Sequence, residues 1–222
     1  MTNEVAKQGE PGRVMRRRRR TRVALLEAAA ALFEEKGLGS TTVTDITNRA
    51  DVAYGSFYTH FSGMDELVLE LARQSIARII EGTRSIMSSV SDYRLLAGVG
   101  PRVIMRVFLR DPVVHWLLDR PHVFTATFRA TARPFMIEYE NQGIIEGQLI
   151  PAGGHEAWIR TLPWLLLAAL SDAIRDGDPP GHEEAFARIS MRLLGVPDTL
   201  ADGLMATSLE LVEASGFALP RN

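Results

Sequence analysis

Cysteine is absent from all 222 residues, which excludes disulfides, thiolate nucleophiles and cysteine-ligated metals and suits a reducing compartment. Long apolar runs are missing too. None reaches the roughly 18 residues of a membrane-spanning helix, and no apolar segment follows the basic stretch near the N-terminus, so neither a span nor a secretion signal is expected. There is no glycine-rich loop after a strand-like run, no His/Glu spacing suited to a metal, and no Ser/His/Asp set. Catalysis and cofactors are therefore not expected. What is present, 46% hydrophobic residues in a chain long enough for a sizeable core, reads as a cytoplasmic globular protein of one or two domains.

Charge is unevenly placed. Ten Lys and Arg face seven Asp and Glu in residues 1–62, while fifteen face twenty in the remainder. Most of the basic excess is Arg13, Arg16 to Arg20 and Arg22, a cluster suited to phosphates or to a minor groove, with a solvated tail or a polybasic membrane or RNA contact as the other readings. Residues 1–20 are expected to form a flexible basic arm because Gly9, Pro11 and Gly12 interrupt any periodicity, and Met15 is an alternative start.

Helical spacing then takes over. Val23, Leu26, Ala30 and Phe33, widened by Leu25, Ala29 and Leu32, predict a helix from about Thr21 that stops at Gly37. Thr42 and Asp45 form a capping-box pair at the start of a second helix, with Val43, Ile46 and Ala50 on its inner face. Asp51-Val52-Ala53 is a turn, and a third helix from Tyr54 carries Phe57 and Phe61 inward. Tyr54, Gly55, Ser56, Tyr58, Thr59 and His60 are left on or near its open face. A helix that is slim at its N-terminal end and polar beyond can enter a major groove about 12 Å wide, which is helix-turn-helix geometry; a plain helical hairpin is the alternative. Ser62 and Asp65 suit the cap of a further helix reaching about Arg84.

The stretches LLEAAAALFEEKG, TTVTDI and VAYGSFYTHF, followed by Asp65-Glu66-Leu67, resemble in order and spacing the DNA-binding domain of the TetR family of transcriptional regulators. The resemblance covers about 50 residues. It implies an all-α chain in which a three-helix helix-turn-helix domain over 21–66 is joined by a long connecting helix to a helical ligand-binding and dimerisation domain over 67–222. By position it implies DNA contacts from Arg20, Arg22, Thr42, Thr44, Tyr54, Gly55, Ser56, Tyr58, Thr59 and His60, with Tyr54 to Ser56 nearest base edges and Thr42, Tyr58 and His60 at phosphates. Three departures stand out. Ala53 forfeits a side-chain cap, Met64 replaces a common phosphate-facing lysine, and Thr47 replaces a common alanine.

Downstream, prolines punctuate a helical pattern: Pro101, Pro112 and Pro121 suit first-turn positions, and Pro134 suggests a kink. His155 to Arg175 is the most apolar helix, followed by Glu183 to Leu194 and by Pro197 to Ser215. The resemblance places Trp158, Leu162, Leu166, Ala169, Phe186, Ile189 and Leu193 at a twofold interface. It places an effector pocket among Phe108, His115, Trp116, Phe124, Phe128, Met136, Tyr139 and Trp164, with plain core as the other reading of each. His115, Arg129, Arg133 and Asn141 are candidate polar anchors. The implied partners are double-stranded DNA with a near-palindromic operator, an apolar or aromatic small-molecule effector, and a second copy of the chain, with no membrane. The function expected is a dimeric repressor released by its effector. An activator or effector-independent regulator of the same fold, or a basic lipid-binding module, is the alternative.

Overall fold

The computed structural model describes residues 11–217. It divides into two compact units, Met1–Leu71 and Ala72–Asn222, a boundary five residues beyond the one expected from sequence. Among the described residues all regular structure is helical, in ten α-helices and two short 3₁₀ turns.

In the first unit, helix α1 runs Pro11–Lys36. Its first ten residues were expected to belong to a flexible arm. They are helical because the arginine run is a good helix former and nothing breaks the helix before Gly37; residues 1–10 lie outside the described residues. Gly37 ends α1 at a positive φ of 79°, its N–H donating to Phe33 O at 3.0 Å. The inner stripe of α1 is Leu25, Leu26, Ala29, Leu32 and Phe33, whereas Val23, expected on it, is exposed. Helix α2 spans Val43–Arg49, α3 Tyr54–Tyr58, and α4 begins at Met64 and ends at Met87. Ile46 from α2, Phe57 from α3, Phe61 and Leu67 close over Leu25 and Phe33, all nearly or fully buried. At the start of α4 the Glu66 carboxylate accepts the Ser62 N–H at 2.6 Å.

The second unit takes the rest of α4 with α5 (Leu96–Phe108), α6 (Pro112–Leu118), α7 (Pro121–Ile145), α8 (His155–Asp176), α9 (Pro179–Leu193) and α10 (Asp198–Ala214). Helix α5 packs against α9 and α10, and α8 against α7 and α9. Pro101 was expected at a first turn but lies inside α5. An interior proline costs about 3 kcal/mol, and burial of eleven of the thirteen α5 residues offsets it. Helix α7 likewise continues through Pro134.

Three charged residues cross-link this core. Glu183 of α9 accepts from Arg102 Nη1 at 2.8 Å and from Arg106 Nε and Nη2 at 2.8 and 2.9 Å. Arg102 also donates to Ser208 Oγ of α10, and Arg106 to the carbonyl of Phe217. The loop after α7 is pinned to the end of α9 by Ile150 N–H to Leu194 O and Ala152 N–H to Leu193 O. Gly195, at φ 79°, permits that approach because a Cβ there would collide with the Ile150 carbonyl.

Contrary to the sequence expectation, one helix among the described residues, α8, is long and apolar enough by composition to span a membrane. Its apolarity is divided between two faces. Trp158, Leu162, Leu166 and Leu170 are buried, while Trp164 and Ile174 are 42% and 39% exposed.

Candidate nucleic-acid interface and buried cavity

Helix α2 is fixed at its first turn by a reciprocal cap. Thr42 Oγ1 accepts the Asp45 N–H at 3.2 Å, and Asp45 Oδ2 accepts the Thr42 N–H at 2.8 Å. Lys36, at 2.8 Å, and then Thr42 hold the Asp45 carboxyl well below its ordinary range, so α1 and α2 are joined by a charge as well as by packing. Thr47, an unusual residue for a crowded crossing, is 1% exposed, and its hydroxyl is satisfied by Val43 O and Thr44 O at 3.0 and 3.1 Å.

The turn into α3 places Asp51 at φ 52°, a left-handed conformation that aspartate tolerates better than most residues. Ala53 gives α3 no side-chain cap, and the helix is held instead by Phe57 packed beneath it. Tyr54, Gly55, Tyr58 and Thr59 are exposed, and Ser56 and His60 half-buried. The two tyrosines stiffen each other: their hydroxyls lie 3.1 Å apart and their rings meet edge-on at 5.5 Å. Tyr54 pushes the Tyr58 hydroxyl pKa up. Thr59 Oγ1 donates to Ser56 O at 2.7 Å, which leaves the hydroxyl as an acceptor toward the outside.

Arg13 and Arg16 to Arg20 are exposed along α1. Arg18 donates to the Thr59 carbonyl at 3.4 Å, which brings the basic run to the C-terminal end of α3. Partial burial first, and the Arg18 and Arg22 cations second, lower the His60 pKa. Arg22, also expected at DNA, has partners within the unit. Its guanidinium sits 4.9 Å over the Phe61 ring and 3.2 Å from Glu70, with its side chain about a third exposed. Thr42 and Thr44 are exposed at the start of α2. This face therefore presents, on short rigid helices, hydroxyls and a slim aromatic ridge next to a row of cations, the chemistry of a duplex-DNA reader.

The second unit holds a cavity enclosing about 550 Å³ with its mouth, lined by α4, α5, α7 and α8. Of the seven expected pocket residues whose side chains are described, Phe128 and Met136 line this cavity. Phe108 and Phe124 pack with Phe128 as an aromatic core. Trp116 lies under Arg120, Tyr139 beside Phe135 under Arg84, and Trp164 is exposed against His122. The side chain of His115 lies outside the described residues. Of the other expected anchors, Arg133 pairs with Glu156, Asn141 is exposed, and Arg129 carries a buried Nε without a hydrogen-bond partner.

Trp158 and Leu162, expected at a dimer face, line the cavity instead, and Leu166 and Phe186 are also buried within the chain. A side chain with no exposed surface cannot form an interface. Ala169 and Leu193 are half-exposed and Ile189 is 46% exposed.

Glu140 was not anticipated. It is 5% exposed, lines the cavity, and accepts from Trp158 Nε1 at 2.9 Å while His155 Nε2 lies 2.7 Å from its other oxygen. Burial raises its pKa, and the hydrogen bonds from His155 and Trp158 counter that only in part. The sequence did contain a signal: Phe128, Ala132, Met136 and Glu140 recur every four residues, so a carboxylate occupies the apolar phase of α7.

Residues 25–71 match the model of the bacterial regulatory proteins of the tetR family. The HTH-type transcriptional repressor KstR2 of Mycobacterium tuberculosis is 43% identical over 68 residues, 31% of this chain and 34% of that protein. Its namesake in Rhodococcus jostii is 40% identical over 73 residues, 33% and 36% of the two chains. The match thus spans about a third of those relatives' length. By structure, the chain resembles RolR in complex with resorcinol, with a TM-score of 0.74 at 18% identity over 93% of this chain and 98% of that one. It also resembles a gamma-butyrolactone receptor (ArpA-like protein), with a TM-score of 0.56 at 19% identity over 89% and 99%. These likenesses extend the fold agreement beyond the first unit. The capped α2, the turn at Asp51, the exposed face of α3 and the family match over the same residues lead to one conclusion: residues 25–71 are a DNA-binding segment of the kind found in the TetR family of bacterial transcriptional regulators, on a chain that shares its fold with RolR.

Proposed function

We propose that this regulator is a cytoplasmic homodimeric repressor that reads a near-palindromic operator and is released from it by an apolar or aromatic small molecule held in the second unit. The observation that carries the DNA half is the exposed Tyr54–Thr59 face of α3, set behind a capped α2 and beside the arginine run of α1. One such helix covers only a few base pairs. Two, held about 34–36 Å apart, read successive major grooves, so dimerisation supplies the specificity. The exposed apolar side chains Trp164 and Ile174 on α8 and Ile189 on α9 support a pairing face there. Its area is the surface left on these helices after their other sides are buried inside the chain.

The cavity supports the effector half. The similar protein RolR is known in complex with resorcinol, and the cavity here is lined almost wholly by apolar side chains, which suits a small apolar or aromatic molecule. Ile76, Ile79, Ile80 and Thr83 of α4 form one wall. Helix α4 also contains Met64 to Leu71 of the first unit, so a ligand that fits one setting of α4 better than another changes how the recognition helices are presented. A coupling of about 1–3 kcal/mol corresponds to roughly 5- to 150-fold in DNA affinity and must act reciprocally on ligand binding.

The test is a titration of the purified chain against DNA from immediately upstream of its own coding region, with random duplex as competitor, at two salt concentrations. A preference of about a thousandfold or more supports the reading. Equal binding of both duplexes that collapses with salt leaves only the arginine run at work and overturns it.

A further inference from the structure

Among the described residues that line the cavity there is one ionisable group and no cation. Among its seventeen lining residues none is Lys, Arg or His, and apart from Glu140 the lining is apolar except for Thr83. Glu140 is fixed there by two contacts on one side: the Trp158 indole N–H donates to Oε1 at 2.9 Å, and His155 Nε2 lies 2.7 Å from Oε2. A carboxylate offers about four acceptor sites. These contacts occupy two, leaving Glu140 with acceptor capacity at the cavity.

The polarity of a fitting ligand follows from this arrangement. An anionic ligand would bring a charge into an apolar space whose described lining holds no cation, at a cost several times that of a lost hydrogen bond. A wholly apolar ligand would cover Glu140 and leave its remaining acceptor sites unpaired. An ammonium would bear the full desolvation of its charge opposite a carboxyl that burial pushes toward its neutral form. A hydroxyl on an otherwise apolar ring meets each condition: it donates one hydrogen bond to Glu140, brings no charge, and leaves the ring against Phe128, Met136 and Leu162.

We propose that the cavity selects a neutral, hydroxyl-bearing aromatic or alicyclic molecule that donates to Glu140, and that it discriminates against the corresponding carboxylate. The proposal rests on the reading of the cavity as the effector site. Glu140 is then the specificity-determining residue of that site.

The experiment is calorimetric titration of the intact chain with four matched probes: 4-ethylphenol, ethylbenzene, 4-ethylbenzoate and 4-ethylbenzylammonium. The expected order places 4-ethylphenol first, roughly tenfold or more tighter than ethylbenzene, as befits the pairing of a buried acceptor otherwise left unsatisfied, with 4-ethylbenzoate weakest. Glu140→Leu, checked for retained thermal stability, is expected to abolish the preference for the phenol over ethylbenzene. The wild-type series stands by itself if that variant does not fold. Tightest binding by the benzoate or the ammonium, equal binding of phenol and ethylbenzene, or binding by none of the four overturns the proposal. The operator titration is run in parallel without probe. Specific DNA binding with any of those outcomes removes the Glu140 assignment and leaves the regulator standing. Loss of operator preference with the expected probe order removes the regulator reading and leaves the ligand chemistry.

Discussion

Replacing Glu183 by Gln tests the account of how the second unit is held together. Glu183 is 1% exposed and lies between two guanidinium groups that are themselves nearly buried, at 2.8–2.9 Å. Glutamine keeps the volume and one acceptor but removes the charge and points an amide donor at a guanidinium. Two buried cations then lose their counter-charge. Removing one partner of a buried pair costs about 3–5 kcal/mol, chiefly because the remaining charge stays desolvated. For a unit of this size each kcal/mol is worth about 2–4 °C, so the melting temperature is expected to fall by ~6–20 °C. The assay is thermal and urea unfolding followed by tryptophan fluorescence. All three tryptophans, Trp116, Trp158 and Trp164, belong to the second unit, so the signal reports that unit alone. Replacing the whole set, Arg102→Met with Arg106→Leu and Glu183→Leu, is expected to cost much less than Glu183→Gln, because no unpaired charge remains. A Glu183→Gln loss below about 1 kcal/mol, or a triple variant worse than the single one, would refute the reasoning.

Thr42→Ala removes the cap of α2 and is expected to cost about 1 kcal/mol of stability in the first unit, measured by hydrogen exchange of the Val43–Arg49 amides; unchanged protection counts against the cap. Tyr58→Phe is expected to weaken binding alike on every operator variant, whereas Ser56 or Tyr54 substitutions change which variant is preferred; a variant panel showing the reverse reassigns the two roles. Burial raises the Glu140 pKa, so the folded chain keeps that proton at a pH where the unfolded chain has lost it. Its contribution to stability is present below the ordinary carboxylate value and is lost as pH rises through the raised value. The stability of wild type minus that of Glu140→Gln, from urea unfolding across pH 4–8, is therefore expected to fall with rising pH, and a rising difference contradicts it.

The helix-turn-helix was legible because its signals are local. Thr42 and Asp45 cap within four residues, Gly37 stops α1 by its own backbone freedom, and Phe57 and Phe61 sit one turn apart. The second unit was harder to read. Pro101 looked like a helix start because proline often occupies one, yet the burial of α5 on several sides carries the helix through it. Val23 looked like core because it shares a helical phase with Leu26, but α1 turns it to solvent. Aromatic residues drew the pocket assignment, and Phe108 and Phe124 proved to be packed against each other while Trp158 and Leu162 lined the space.

The sequence by itself determined the all-helical class, the segment that resembles a DNA reader and most helix boundaries, because helical period, capping and stop signals act over a few residues. Only the tertiary structure decided which faces of α7 and α8 look inward, that Glu140 meets Trp158 and His155 over a cavity, and that Arg102 and Arg106 share Glu183 from 77 or more residues away. Those outcomes depend on how long helices cross and rotate against one another. That is settled by the packing of many side chains at once, which no local pattern records.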